Sequence, residues 1–142
     1  LLPIGSWDVE QRGSDVAILA VGPMVYTALE ASKQLVSSGI TCEVVNCRFI
    51  KPMDTAYLDS MKKKFKKIIT LEEGTTTGGF GDGVAGWLLE NGFQGQLKKL
   101  GLPDTYVEHG SRDQILNMLG LDVDGIAKSV RELVGNKETI LV

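Results

Sequence analysis

The most constraining feature of this chain is an unbroken apolar run, Val16-Ala-Ile-Leu-Ala-Val21, entered through Ser14-Asp15 and closed by Gly22. A strand with one wet face alternates polar and apolar residues, whereas a continuous run marks a strand buried on both faces. Ser14–Gly22 therefore reads as an inner strand that needs a layer of structure on each side. The following residues supply those layers. Pro23 opens a helix at a favoured early position, Val25, Ala28, Leu29, Leu35 and Val36 give it an apolar stripe, and Gly39 stops it. Ile40–Phe49 is a second apolar strand. Asp54 is placed to cap a helix lined by Leu58, Met61 and Phe65, and Lys67–Leu71 is a third strand.

A glycine- and threonine-rich loop precedes a helix through Val84, Trp87, Leu88 and Leu89, which Asn91-Gly92 ends. Gln96–Leu102 reads as a further strand. Ser111-Arg-Asp-Gln114 has the form of a capping box for a helix carrying Ile115, Leu116, Met118 and Leu119 and ending at Gly120. Asp122 caps a last helix with Ile126, Val130, Leu133 and Val134 inward. Trp7–Arg12 alternates weakly, as a candidate edge strand would. Strand and helix thus alternate through one domain, 1–142, the pattern of a three-layer α/β/α fold around a largely parallel sheet. The chain begins without Met, which reads as a fragment or a processed piece.

Composition excludes several classes. With 43% hydrophobic and 23% charged residues the chain has enough apolar surface to bury, so disorder is not its main state. A net charge of -3 is the wrong sign for a nucleic-acid binder. No stretch approaches the roughly 20 apolar residues of a membrane span. Cys42 and Cys47 lie five apart in an extended run, so they point to opposite faces and read as two free thiols. His109 is the single histidine, which rules out a multi-histidine zinc site.

The motifs are weaker than they look. Gly81-Asp-Gly-Val-Ala-Gly86 fits the dinucleotide fingerprint, with Asp104 beyond it. However, Gly81 lies ten residues past Leu71, and the unit is the third rather than the first of its kind. The bland reading is a glycine-lined turn onto a helix, in which at least one of Gly79, Gly81 and Gly83 needs positive φ or close backbone approach. An independent nucleotide-binding or regulatory module built on Gly81–Gly86 is kept as the alternative. Gly81-Asp82-Gly83 also echoes the start of the thiamine diphosphate motif, but no Asn stands at the metal-binding distance, leaving Asp82 as a carboxylate at a helix start. Glu72 and Glu73 would form an acid–base pair with His109 only if their two loops meet. The basic run Lys62-Lys-Lys-Phe-Lys-Lys67 falls at a helix C-terminus, where cations complement the dipole.

Three segments carry a resemblance: Val45-Asn-Cys-Arg-Phe-Ile-Lys-Pro-Met-Asp54, Thr70-Leu-Glu-Glu-Gly-Thr-Thr-Thr-Gly-Gly-Phe-Gly-Asp-Gly-Val84 and Gly101-Leu-Pro-Asp-Thr-Tyr-Val-Glu-His-Gly-Ser-Arg-Asp113. In order and over about Ile4 to Leu133, the chain resembles the C-terminal domain of the 1-deoxy-D-xylulose-5-phosphate synthase family. Gly74 stands where that family usually has Asn, and Asp82 where it usually has a small residue.

The resemblance implies a transketolase C-terminal fold: a mixed five-stranded sheet with one antiparallel strand, flanked by helices. It implies membership of a three-domain transferase that condenses pyruvate with glyceraldehyde 3-phosphate, losing carbon dioxide, to feed isoprenoid, thiamine and pyridoxal synthesis. Thiamine diphosphate and magnesium then belong to the whole enzyme, between its first two domains. No catalytic, cofactor or metal position of the family maps onto a residue here, and the domain alone is expected to be inactive and to bind no cofactor. Its expected partners are its own N-terminal domains and a second subunit of a homodimer, with neither nucleic acid nor membrane. The location implied is the bacterial cytoplasm, or the plastid stroma in a plant or alga. Glu73, Phe80, His109 and Arg112 are the residues expected near a domain or subunit boundary.

Overall fold

The computed structural model describes residues 4–48, 51–75, 79–102 and 110–139. In chain order the elements are β1 (Asp8–Gln11), β2 (Val16–Ala20), α1 (Met24–Val36), β3 (Cys42–Asn46), α2 (Thr55–Lys64), β4 (Lys67–Thr75), α3 (Phe80–Glu90), β5 (Gln96–Leu102), α4 (Arg112–Met118) and α5 (Val123–Thr139). The five strands form one sheet in the order β1-β3-β2-β4-β5. β3, β2, β4 and β5 run parallel, with Val16 opposite Cys42 and Ala17 opposite Ile68, and β1 alone is antiparallel, against β3. The fold is the expected three-layer α/β/α arrangement with a mixed sheet.

The apolar run does what its pattern requires. All five β2 residues are fully buried: Val16, Ile18 and Ala20 toward one core, Ala17 and Leu19 toward the other. The first core takes Met24, Ala28 and Leu35 from α1 and Ile126, Ala127 and Val130 from α5. The second takes Leu58 and Met61 from α2 and Val84 and Leu88 from α3. Cys42 belongs to the first core and Cys47 to the second, so the odd spacing does separate the thiols, and both are free.

Local chemistry sets most of the boundaries. Asp54 accepts the backbone N–H of Tyr57 at 3.0 Å and so caps α2. The Ser111–Gln114 capping box is complete in both directions, and Asp122 accepts from Gly125 at 2.9 Å to start α5. Gly39, Gly92 and Gly120 stand just past α1, α3 and α4 with positive φ, where a Cβ would be strained.

Some expectations need correcting. β4 does not end at Leu71 but runs to Thr75, pairing Thr75 with Leu102, so Glu72 and Glu73 are strand residues rather than loop residues. The Gly81–Gly86 motif is not a turn before a helix; it lies within α3. Val36, Leu89 and Met118, read as members of apolar stripes, are exposed. The inward rows run through Ala28-Leu35, Val84-Leu88 and Ile115-Leu116, and those three fall off the buried arc.

Candidate functional site

In a parallel sheet, ligands and reactive groups collect beyond the carboxyl ends of the strands. Here that region is built from the last residues of β4, the start of α3, the middle of β5 and the start of α4. Side chains alternate along β4, and the alternation sorts its polar residues. Thr70 and Glu72 face α3: both lie against Gly81. Glu73 faces the other way and forms an ion pair with Arg112 at the start of α4.

Glu72 is almost fully buried, and its use is defined by geometry. One carboxylate oxygen accepts the backbone N–H of Phe80 at 3.1 Å and the other that of Gly81 at 2.8 Å. These are two of the donors that the first turn of any helix leaves without intrahelical partners. The N-cap residue, Gly79, has no side chain to satisfy them. A carboxylate at this end also meets the positive pole of the helix dipole. Glu72 therefore anchors α3 to β4, with both carboxylate oxygens engaged by the helix start.

The other predicted site residues separate. Phe80 is buried inside the chain's own second core, its ring edge-on to Trp7 at 5.9 Å. Glu73 and Arg112 come together at the surface, across the sheet end. His109 lies outside the described residues, as does its expected pairing with Glu72 and Glu73. Asp82 is paired with Lys99 of β5 inside a helical turn, which is unlike a metal-binding loop. No group of three His, Cys, Asp or Glu among the described residues could hold a metal ion. The carboxyl end as described does not fit magnesium or a diphosphate cofactor.

A second polar cluster was not foreseen. Glu43, near the start of β3, is buried; it accepts from the Tyr57 hydroxyl at 2.8 Å and from Lys64 at 3.1 Å, with Arg12 at 4.0 Å. Burial, and then the bond to Glu43, push the Tyr57 hydroxyl well above its ordinary range, so it stays a donor. No short motif announces this cluster, because its members lie on β3, α2 and the segment after β1. Burial likewise pushes the Cys42 thiol up to about 12, with Asp15 adding to the shift. Cys47 is raised by burial and then by Asp54. Neither thiol is a nucleophile at neutral pH.

At the opposite, amino end of the strands lies a cavity of about 420 Å³ lined by Ser14, Asp15, Lys64, Lys66, Lys67 and Gln96. Part of the basic run borders it, and two lysines of the run reach helix carbonyls. Lys62 donates to the Asn91 carbonyl at the close of α3 at 2.8 Å, and Lys67 to the Leu133 carbonyl of α5. The dipole-complementing position expected for the run is that of Lys62, Lys63 and Lys64, which occupy the last turn of α2.

Comparison with known proteins agrees with the geometry. The family model described as "Transketolase, C-terminal domain" matches residues 5–126. The chain is 42% identical over 131 residues to the 1-deoxy-D-xylulose-5-phosphate synthase of Aquifex aeolicus, covering 92% of this chain and 21% of that protein. It is 40% identical over 138 residues to the synthase of the same name from Bacillus cereus, covering 96% and 22%. It thus spans about a fifth of the length of these curated relatives. Among solved structures, a split-gene transketolase described as an inactive β4 tetramer superposes with a TM-score of 0.86 at 31% identity, over 94% of this chain and 43% of that one. A transketolase mutant from Pichia stipitis, 22% identical with a TM-score of 0.63 over 89% of this chain and 17% of that one, shares the fold.

Proposed function

We propose, from the fact that this chain belongs to the transketolase C-terminal domain family, that it is the assembly domain of a 1-deoxy-D-xylulose-5-phosphate synthase. The observation that carries this reading is one of coverage. Relatives bearing that name match 92–96% of this chain but only 21–22% of themselves. The remaining four-fifths have room for a cofactor site that the residues described here do not build.

In this reading the complete enzyme joins pyruvate to glyceraldehyde 3-phosphate, using thiamine diphosphate and magnesium held elsewhere, as a homodimer in a bacterial cytoplasm or a plastid. The domain contributes a rigid surface. Its carboxyl end presents ion-paired side chains, Glu73 with Arg112 and Asp82 with Lys99, on a frame fixed by Glu72. Such a surface suits docking against the preceding domains or a second subunit, with Glu73 and Arg112 at the boundary; His109, also expected there, lies outside the described residues. The split-gene relative, described as an inactive β4 tetramer, supports a chain of this type that assembles without turning over.

The test has two parts. The 142-residue chain, mixed with pyruvate, glyceraldehyde 3-phosphate, Mg²⁺ and thiamine diphosphate, should form no product; turnover by the chain alone overturns the reading. In the complete enzyme, Glu73→Ala and Arg112→Ala should weaken the dimer and lower activity together. If both variants keep wild-type activity and an unchanged dimer constant, the docking role of this end is wrong.

A further inference from the structure

We propose that Glu72 is an internal ligand: its carboxylate fills an anion site at the amino end of α3, closing that helix start to phosphate in the native chain, and a small anion can take its place when it is removed. Helix N-termini that follow the strands of α/β folds bind phosphates in many proteins, through first-turn N–H groups and the helix dipole. In this chain both carboxylate oxygens of Glu72 already take those N–H groups, from Phe80 and Gly81. The helix itself is eleven residues long, and its N-cap glycine offers no competing cap.

An independent observation points to the same spot. The Thr70 hydroxyl, two residues before Glu72 on the same face of β4, is fully buried and has no hydrogen-bond partner among the described residues. A Cβ added at Gly81 would lie 2.7 Å from that hydroxyl, 3.3 Å from Glu72 Oε2 and 3.1 Å from Lys99 Cγ. Hydroxyl, carboxylate and the stem of a lysine therefore converge on the one point that glycine leaves open. Two N–H donors and an unspent O–H supply the donors of an anion site, while the Lys99 ammonium is taken by Asp82 and only its stem borders the spot. With the carboxylate in place, charge and space both exclude phosphate, which explains a fingerprint-like sequence that is not a nucleotide site.

The proposal is tested on the 142-residue chain by following the amide signals of Phe80 and Gly81 in nuclear magnetic resonance. Wild type, Glu72→Ala and Glu72→Gln are titrated with sodium formate and with inorganic phosphate, against sodium chloride of equal ionic strength. In the wild type these two amides should ignore both anions. In Glu72→Ala they should lose their low-field positions and recover them saturably with formate or phosphate, while the melting temperature rises in parallel. Glu72→Gln, which keeps the shape and one acceptor oxygen, should fold, show altered Phe80 and Gly81 amides, and remain indifferent to anions. The proposal is overturned by a folded Glu72→Ala that responds no more than to chloride, or by phosphate shifts at these amides in the wild type. If Glu72→Ala does not fold, Glu72→Gln decides: amides unchanged from wild type overturn the proposal, and altered ones sustain it.

Discussion

Three glycines of α3 separate the packing role of this segment from mere flexibility. Gly81, Gly83 and Gly86 are all helical and none has positive φ, so alanine is conformationally acceptable at each. Space distinguishes them. At Gly81 a Cβ would lie 2.7 Å from Thr70 Oγ1, about 0.7 Å inside the 3.4 Å at which ordinary contact begins. Thr70 is β-branched and fully buried, so it cannot swing aside cheaply. Overpacking of this kind costs about 1–3 kcal/mol. The better helix propensity of alanine returns less than about 1 kcal/mol, leaving Gly81→Ala destabilised by about 1–2 kcal/mol. At Gly83 the nearest atom is Met53 Sδ at 3.7 Å, and at Gly86 nothing lies within 4 Å. Those two variants keep the propensity gain and should be stabilised by up to about 1 kcal/mol. For a chain of this size 1 kcal/mol moves the melting temperature by roughly 3 °C. Thermal unfolding followed by circular dichroism should therefore place Gly81→Ala several degrees below the parent and Gly86→Ala above it. Equal melting points for these two variants would refute the close-approach argument.

Other consequences can be checked on the same chain. The Cys42 thiol titrates near 9 when unfolded and about 12 when folded, so only the unfolded state gains the ionised form across that window; its contribution is intact below pH 9 and is lost toward pH 12, at about 1.4 kcal/mol per pH unit. Urea midpoints at pH 8 and pH 10.5 should thus fall less in Cys42→Ala than in the parent, and identical slopes would dismiss the thiol as a cause. Tyr57→Phe deletes the donor to buried Glu43 and should cost about 1–2 kcal/mol, measured by urea unfolding; a loss of under a few tenths would mean that Lys64 and water satisfy Glu43 unaided. Ser111→Ala breaks one half of the capping box and should cost about 1 kcal/mol, appearing as faster hydrogen exchange across α4, with no change there counting against a stabilising cap.

Where sequence and structure agree, the signal is local and redundant. β2 is legible because six apolar residues in a row admit one environment, and α2, α4 and α5 because Asp54, Ser111 and Asp122 each bond within their own helix starts. The odd spacing of Cys42 and Cys47 assigns their faces without any tertiary knowledge. Failures occur where a distant partner decides. Glu-Glu-Gly-Thr after Leu71 is poor in β-formers and reads as loop, but Thr75 pairs with Leu102 and extends β4 past it. Gly81-Asp-Gly-Val-Ala-Gly reads as a turn because each glycine costs a helix about 1 kcal/mol. Burial of Phe80, Val84 and Leu88, and a carboxylate eight residues upstream of Phe80, override that cost.

Opposite partial charges at the two ends of the sheet account for the misleading motifs. In this fold the helix N-termini of the parallel units gather at the carboxyl end of the sheet and the C-termini at the amino end, leaving opposite partial charges at the two poles. At the carboxyl pole Glu72 spends its charge on the Phe80 and Gly81 amides. At the amino pole Lys62, Lys63 and Lys64 fill the last turn of α2, and Lys62 also donates to the Asn91 carbonyl that closes α3. Residue types that would suggest ligand chemistry, paired glutamates and a lysine run, thus work largely as internal counter-charges. What they leave at the carboxyl surface is a set of ion pairs, Glu73 with Arg112 and Asp82 with Lys99, each joining two different elements. Exposed pairs of this kind add little stability; under the docking reading proposed above, they would hold a charged contour in register for a partner surface.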